Sequence, residues 1–216
     1  GKDGADMGAA LGTCQGDGSG TRLVHLAAGT YPIEDLSLVH KVSLVGAGQE
    51  ATVIYGPVPL LRTGAVLASV KVKGSIEVSS GEAPEIRDCT ISGAGGGGVY
   101  CNGSSPTLSN CTILGVHCID FSSPTLTNCT ISGELGYFGW GLRCYYSSSP
   151  TLTNCTISGN KDQLEAVYCR ASSPTLTNCI VWGNAGRAIS KDDSSNPVVS
   201  YSLIEGFWPG EGNIDQ

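Results

Sequence analysis

An all-β solenoid of stacked parallel coils is what the sequence predicts. Near-identical segments recur at a period in the low twenties, apolar and hydroxyl side chains alternate within them, and the composition disfavours helix. The recurring marker is a proline, at Pro84, Pro106, Pro124, Pro150, Pro174 and Pro197, with spacings of 22, 18, 26, 24 and 23 residues. Such a period, with variable insertions, belongs to a repeat that stacks on itself at about 20–24 residues per coil, the insertions lying in loops.

The copies follow in order. A degenerate one is Ala83-Pro84-Glu85-Ile86-Arg87-Asp88-Cys89-Thr90-Ile91. Ser105 to Ile113 comes next, then Ser123-Pro124-Thr125-Leu126-Thr127-Asn128-Cys129-Thr130-Ile131, then Ser149 to Ile157 and Ser173 to Cys179. Asn196 to Ile204 is the last and again degenerate. In the copy at 149, Leu152 alternates with Thr151 and Thr153, and Cys155 and Ile157 alternate with Thr156 and Ser158. This is strand alternation, apolar side chains in and hydroxyls out. A further short strand ends each repeat: Val99-Tyr100-Cys101, Val116-His117-Cys118, Leu142-Arg143-Cys144 and Val167-Tyr168-Cys169. No repeat has room for a helix, so each is one coil of two or three strands. Before residue 83, coils of lower identity run through Leu23–Leu26, Val42–Val45, Thr52–Tyr55, Ala65–Leu67, Val70–Val72 and Ile76–Val78. Residues 1–20 are Gly-rich and aperiodic, an irregular segment or cap, and 21–216 form the solenoid.

Composition narrows function. The 216 residues include 31 Gly, and charged residues are only 14%, which removes the Ala/Leu/Glu/Lys content a helical bundle needs. Net charge is −7 with 12 Lys+Arg and no basic cluster, so binding nucleic acid through its phosphates is not expected. No apolar run is long enough for a membrane-spanning helix.

The repeat S-P-T-L-x-N-C-T-I resembles secreted bacterial right-handed parallel β-helix proteins of the pectate-lyase-like superfamily. Val24 to Tyr31 and Val42 to Gly48 are similar to that family's first coils, and Leu203 to Asp215 to its last. The resemblance covers residues 21–216 and implies a right-handed coil and an extracellular or cell-surface protein. The catalytic motifs of polygalacturonases and pectate lyases are absent. Asp3 to Ala9 resembles a stretch that in the family follows the closing Gly-Asn-Ile-Asp segment. The chain thus reads as a piece of a tandem array, or as a molecule whose start completes the end of the next. No leader peptide opens it, which fits a mature or trimmed chain.

Stacking turns repeated positions into rows. Cys89, Cys111, Cys129, Cys155 and Cys179 form one row, Cys101, Cys118, Cys144 and Cys169 another, and both share parity with the core, where Cys acts as a small apolar spacer. Disulfides between adjacent coils are sterically open, with Cys14 left over. No C-x-x-C spacing or neighbouring His suggests a metal, and no cofactor is expected. Asp88, Asn110, Asn128, Asn154 and Asn178 form a corner row. Three of these read Asn-Cys-Thr, a glycosylation sequon, but an inward Asn is a poor acceptor.

Two outward faces remain. Thr107, Thr125, Thr151 and Thr175 stack beside Ser109, Thr127, Thr153 and Thr177; this T-x-T array resembles the face of ice-binding β-solenoids, or is plain solvent-facing strand. The other face carries the candidate ligand residues Tyr100, His117, Asp120, Arg143, Tyr145, Tyr168, Arg170 and Asp192, with Tyr146, Ser190, Lys191 and Asp193 nearby and the insertion Glu134 to Gly141 beside it. Aromatics with Arg and Asp suit sugar stacking and hydroxyl bonding. A hydrolase needs paired carboxylates and a lyase a base with an acidic calcium site. Asp120 sits about three coils from the pair Asp192 and Asp193, so no catalytic residues are assigned. The leading expectation is a structural or adhesive rod, uncapped by helices and associating end to end into filaments. The alternative is a carbohydrate-binding or carbohydrate-active module using the Tyr/Arg/Asp face. Ice binding through the T-x-T rows is a third.

Overall fold

The computed structural model describes residues 22–215 except 33–36, 39–40, 59, 80, 94–97, 133–140 and 161–164. The terminal stretch 1–20 with Cys14, and most of the insertion at 134–141, therefore lie outside the described residues. Within them every element is a strand, and every pairing is parallel.

Three long sheets run along the rod. The first has nine strands, from Arg22–Leu26 and Val42–Gly46 through the Thr-Leu-Thr strands Thr125–Thr127, Thr151–Thr153 and Thr175–Thr177 to Val198–Ser200. The second also has nine, from Gly29–Pro32 to Leu203–Ile204. The third has six: Ile76–Ser79, Val99–Asn102, Val116–Ile119, Leu142–Tyr145, Val167–Arg170 and Ile189–Lys191. A two-stranded pair, Ser37–Leu38 with Leu60–Leu61, stands beside them. The first two coils pass through the first and second sheets and this pair, and from Val66–Ala68 to Ile189–Lys191 each coil visits the three sheets in turn.

The core is the stack of inward side chains. Leu67, Ile86, Leu108, Leu126, Leu152 and Leu176 of the first sheet are fully buried, as are Ile113, Ile131 and Ile157 of the second. Each such side chain contributes about 1.5–3 kcal/mol by leaving water. The nine described cysteines are buried thiols filling the remaining inward positions, where a bulkier side chain would overfill the narrow section. Burial pushes the Cys144 thiol well above its ordinary range, and the hydrogen bond that Cys101 donates to Cys118, with burial, does so for Cys101.

The corner between the first and second sheets is two residues long in every coil from Asp88 on. Its first residue lies in the left-handed region: φ is 54° at Asp88, Asn110, Asn128 and Asn178 and 56° at Asn154. The expectation that these side chains point inward is corrected here, because the four asparagines are exposed. A left-handed residue turns its Cβ out of the bend, while its amide still reaches the next coil. Asn110 donates to Asp88 (3.1 Å), Asn128 to Asn110 (3.3 Å), Asn154 to Asn128 (3.2 Å) and Asn178 to Asn154 (2.7 Å). Asn tolerates this conformation better than other residues with a Cβ.

The corner from the third sheet to the first holds a second ladder that the sequence reading did not identify. Ser104, Ser122, Ser148, Ser172 and Ser195 are buried. The hydroxyls of Ser122, Ser148, Ser172 and Ser195 each accept the backbone N–H of the serine one coil earlier, at 3.0–3.2 Å. Buried Glu82 occupies the preceding position and is held by Arg62 at 2.9 Å. The third corner absorbs the length variation: it spans two residues at 114–115 and ten at 132–141.

The segment from Trp208 to Asp215 folds over the last coil. Asn213 accepts from the Ser202 N–H and donates to the carbonyls of Val199 and Trp208, and Ile214 bridges Leu203. The N–H of Tyr201 and of Ile204 donate to Glu211 and Ile214. An irregular segment thus uses donors that an open end would offer to a second molecule.

Two outcomes follow. Replacing Asn128 by Ala should cost about 1–2 kcal/mol in urea denaturation, from left-handed strain and the lost amide bonds, and Asn128→Gly should cost less. Equal costs would show that the side chain, not the backbone, decides. A polar thiol reagent should modify the nine ladder cysteines only after unfolding; rapid native labelling would contradict their burial.

Candidate functional site

The outer surface of the third sheet brings together Tyr100, His117, Arg143, Tyr145, Tyr168 and Arg170. Alternation along each strand sends Val99 and Cys101 inward and Tyr100 outward, and register does the rest. Glu77 pairs with Tyr100, Tyr100 with His117, His117 with Arg143, Arg143 with Tyr168, and Tyr168 with Ser190. Tyr145, two residues beyond Arg143, pairs with Arg170.

The rings form a run over four successive coils. Centroids are 5.6 Å apart from Tyr100 to His117, 5.7 Å from His117 to Tyr145 and 5.6 Å from Tyr145 to Tyr168, all tilted by 56–66°. The Arg143 guanidinium carbon lies 4.8 Å over the Tyr145 ring, and its NH2 group donates to the Tyr145 hydroxyl. This combined stacking and hydrogen bond fixes the planar guanidinium against the ring. Tyr146 extends the run around the corner, 6.0 Å from Tyr145, and is exposed.

His117 is half-buried between Tyr100 and Tyr145. Its imidazole pKa is lowered to about 4, first by burial and then by the Arg143 charge. At neutral pH it is an uncharged ring with one N–H donor and one acceptor. Burial, and then Glu77, push the Tyr100 phenol above its ordinary value.

Of the eight candidate residues, Tyr100, His117, Arg143, Tyr145 and Tyr168 come together, and Arg170 flanks them, exposed, beside Tyr145. Asp120 and Asp192 stand apart. Asp120 is an exposed corner residue with φ of 52°. Asp192 accepts the Ala171 N–H with both oxygens (3.1 Å each) and the hydroxyls of Ser194 (2.9 Å) and Ser195 (2.6 Å). The Ser195 hydroxyl and the Ala171 N–H hold its carboxyl below the usual range. It is a turn-forming carboxylate with its lone pairs engaged. Lys191 pairs with Cys169, at the end of that core row, and is exposed.

Sequence reading missed Glu77 and Phe121. Glu77 was legible by extending the register one coil before Tyr100. Phe121 is 75% exposed, with φ of 64°, at a corner one residue longer than the Gly103 corner before it; counting from Cys118 to Thr125 reveals that extra residue. Among the described residues, no three His, Cys, Asp or Glu side chains cluster to hold a metal. The T-x-T rows are in register on the first sheet, away from this face. A shallow cavity of about 480 Å³ lies near the last coil, between Asn178, Tyr201 and Ile214.

The imidazole makes stability pH-dependent. The folded pKa lies below the unfolded value near 6.5, so the unfolded chain binds more protons between those values. The His117 contribution is complete above about pH 6.5 and is lost as pH falls towards 4. His117→Gln should flatten the stability profile in that window, and Arg143→Gln should raise the imidazole pKa seen by NMR. An unshifted pKa near 6.5 in the folded protein would overturn this reading.

A family profile described as a right-handed beta helix region matches residues 66–204. Pectin methylesterase PemA from Erwinia chrysanthemi is similar in structure, with a TM-score of 0.66 at 10% identity over 96% of this chain and 87% of that one. A pectin methylesterase in complex with a hexasaccharide gives 0.64 at 10% identity with the same coverages. The A-module of the Azotobacter vinelandii mannuronan C-5 epimerase AlgE4 gives 0.53 at 13% identity over 92% of this chain and 70% of that module. At these identities the likeness is one of fold. No curated protein sequence matches. The family match spans the repeats whose rows build the aromatic face, and the chain belongs to the right-handed β-helix family.

Proposed function

We propose that this chain is a polysaccharide-binding β-helix whose glycan platform is the outer face of the third sheet. The observation that carries this is the run Tyr100, His117, Tyr145, Tyr168, one ring per coil at 5.6–5.7 Å, with Arg143 locked over Tyr145. Tilted rings in series offer apolar patches to successive sugars. The neutral imidazole and the guanidinium offer donors for hydroxyl or carboxylate oxygens. The variable corner adjoins this face, where repeat proteins place recognition loops. The similar structures support a carbohydrate ligand, one being held with a hexasaccharide and others named for action on pectin and mannuronan.

Binding rather than hydrolysis is the reading. Glu77 and Asp120 are two coils apart and Asp120 and Asp192 three, roughly 10 and 14 Å along the rod, and Asp192 is tied into its turn. Such spacing does not make the carboxylate pair of a glycosidase.

Calorimetric titration with oligogalacturonate and with neutral glucan fragments tests the proposal. Tyr145→Ala and Tyr168→Ala should each weaken binding about tenfold, near 1.4 kcal/mol, while Thr151→Tyr on the first sheet should leave it unchanged. Wild-type chain that binds neither series, or loses binding equally with Thr151→Tyr, would refute it. Sedimentation of the same samples reads end-to-end association directly.

A further inference from the structure

We infer that the Asn corner is an attachment site for N-linked glycan, at Asn110, Asn128 and Asn154. This stands apart from the polysaccharide platform, since the corner joins the first and second sheets. Each of the three begins an Asn-Cys-Thr sequon, and each side chain is exposed. Thr112 and Thr130 are exposed as well, and Thr156 is half-buried.

The ladder leaves the chemistry available. A primary amide has two N–H donors, and each rung spends one on the oxygen of the preceding rung. Transfer from a lipid-diphosphate-linked oligosaccharide forms a bond from Nδ2 to the anomeric carbon. The bond from that carbon to the phosphate oxygen breaks, the lipid diphosphate leaves, and one amide proton is lost to the transferase. The product keeps one N–H and the carbonyl oxygen, which is what the ladder uses. The corner carries no insertion, so a sugar there meets solvent.

The geometry also limits occupancy. Adjacent rungs are about 4.8 Å apart and alternate ones roughly 10 Å. A glycan is bulkier than one rung, so Asn110 and Asn154 are occupied together, or Asn128 alone. The flanking rungs are built-in controls: Asp88 lacks the amide, and Asn178 is followed by Cys179 and Ile180, without the hydroxyl.

The full chain, secreted from a eukaryotic host, tests this by intact mass and glycopeptide mapping. The expected result is molecules with at most two glycans, none at Asn178, that melt with the same cooperativity as enzymatically deglycosylated chain. Thr112→Val, Thr130→Val and Thr156→Val together should abolish attachment without touching the amide ladder, and Ile180→Thr should create an acceptor at Asn178. Secreted, folded chain without glycan would overturn the assignment. So would glycan found only on misfolded chain, and three glycans on one folded molecule would overturn the spacing limit.

Discussion

The repeats depend on a turn that, in every coil from Asp88 on, is two residues long and begins in the left-handed region. That conformation turns the chain sharply enough for the next strand to start at once, and it fixes the start at the same place in every coil. Because the Asn-Cys corner never varies, Leu falls on Leu and Ile on Ile, and both cysteine rows stay inside. A corner of varying length would slip the strand register and send the core set outward. The amide ladder makes each corner depend on its neighbour, so the turn propagates along the rod.

The periodic part of this was legible in the sequence. The proline spacing, the two cysteine rows and the outward row Tyr100, His117, Arg143, Tyr168, Ser190 all appear in the structure as read, because register follows from counting between identical motifs. The asparagine direction was not legible. Parity assigns a residue to a face only within a strand, and Asn128 lies between two strands. The serine ladder was visible as a serine two residues before most marker prolines, but a small polar residue near a proline also suits an exposed turn. Its burial follows from the hydrogen bonds it makes across coils. At the candidate site the row was legible and the contacts were not: the tilt of Tyr145 between His117 and Tyr168, the engagement of Asp192 and the exposure of Phe121 depend on corner lengths that differ by one residue.

Those one-residue differences shape the face. In the coil of Cys118 the third-to-first corner spends its extra residue on Phe121, in a left-handed conformation that L side chains adopt at a cost. In the coil of Cys144 the equivalent corner is Tyr146 and Ser147, both with positive φ. The exposed aromatics of the rim therefore sit where the backbone is least relaxed, next to the ordered ring series. The chain's described ion pairs lie among Glu50, Arg62, Lys71, Glu82, Glu85, Arg87 and Asp88, away from the aromatic run. Arg143 stacks on the Tyr145 ring and donates to its hydroxyl, which orients the guanidinium.

Placing the largest length variation at one corner divides the molecule into a constant gauge, the two-residue corner from Asp88 on, and an editable margin. Residues can be added or lost between the second and third sheets without disturbing a rung, so recognition can drift while the scaffold stays fixed. Whole coils can be gained or lost just as freely, since each contacts only its neighbours. Such a rod measures its ligand by counting: one more repeat is one more ring on the strip, and the reach of the surface grows in steps set by the backbone itself.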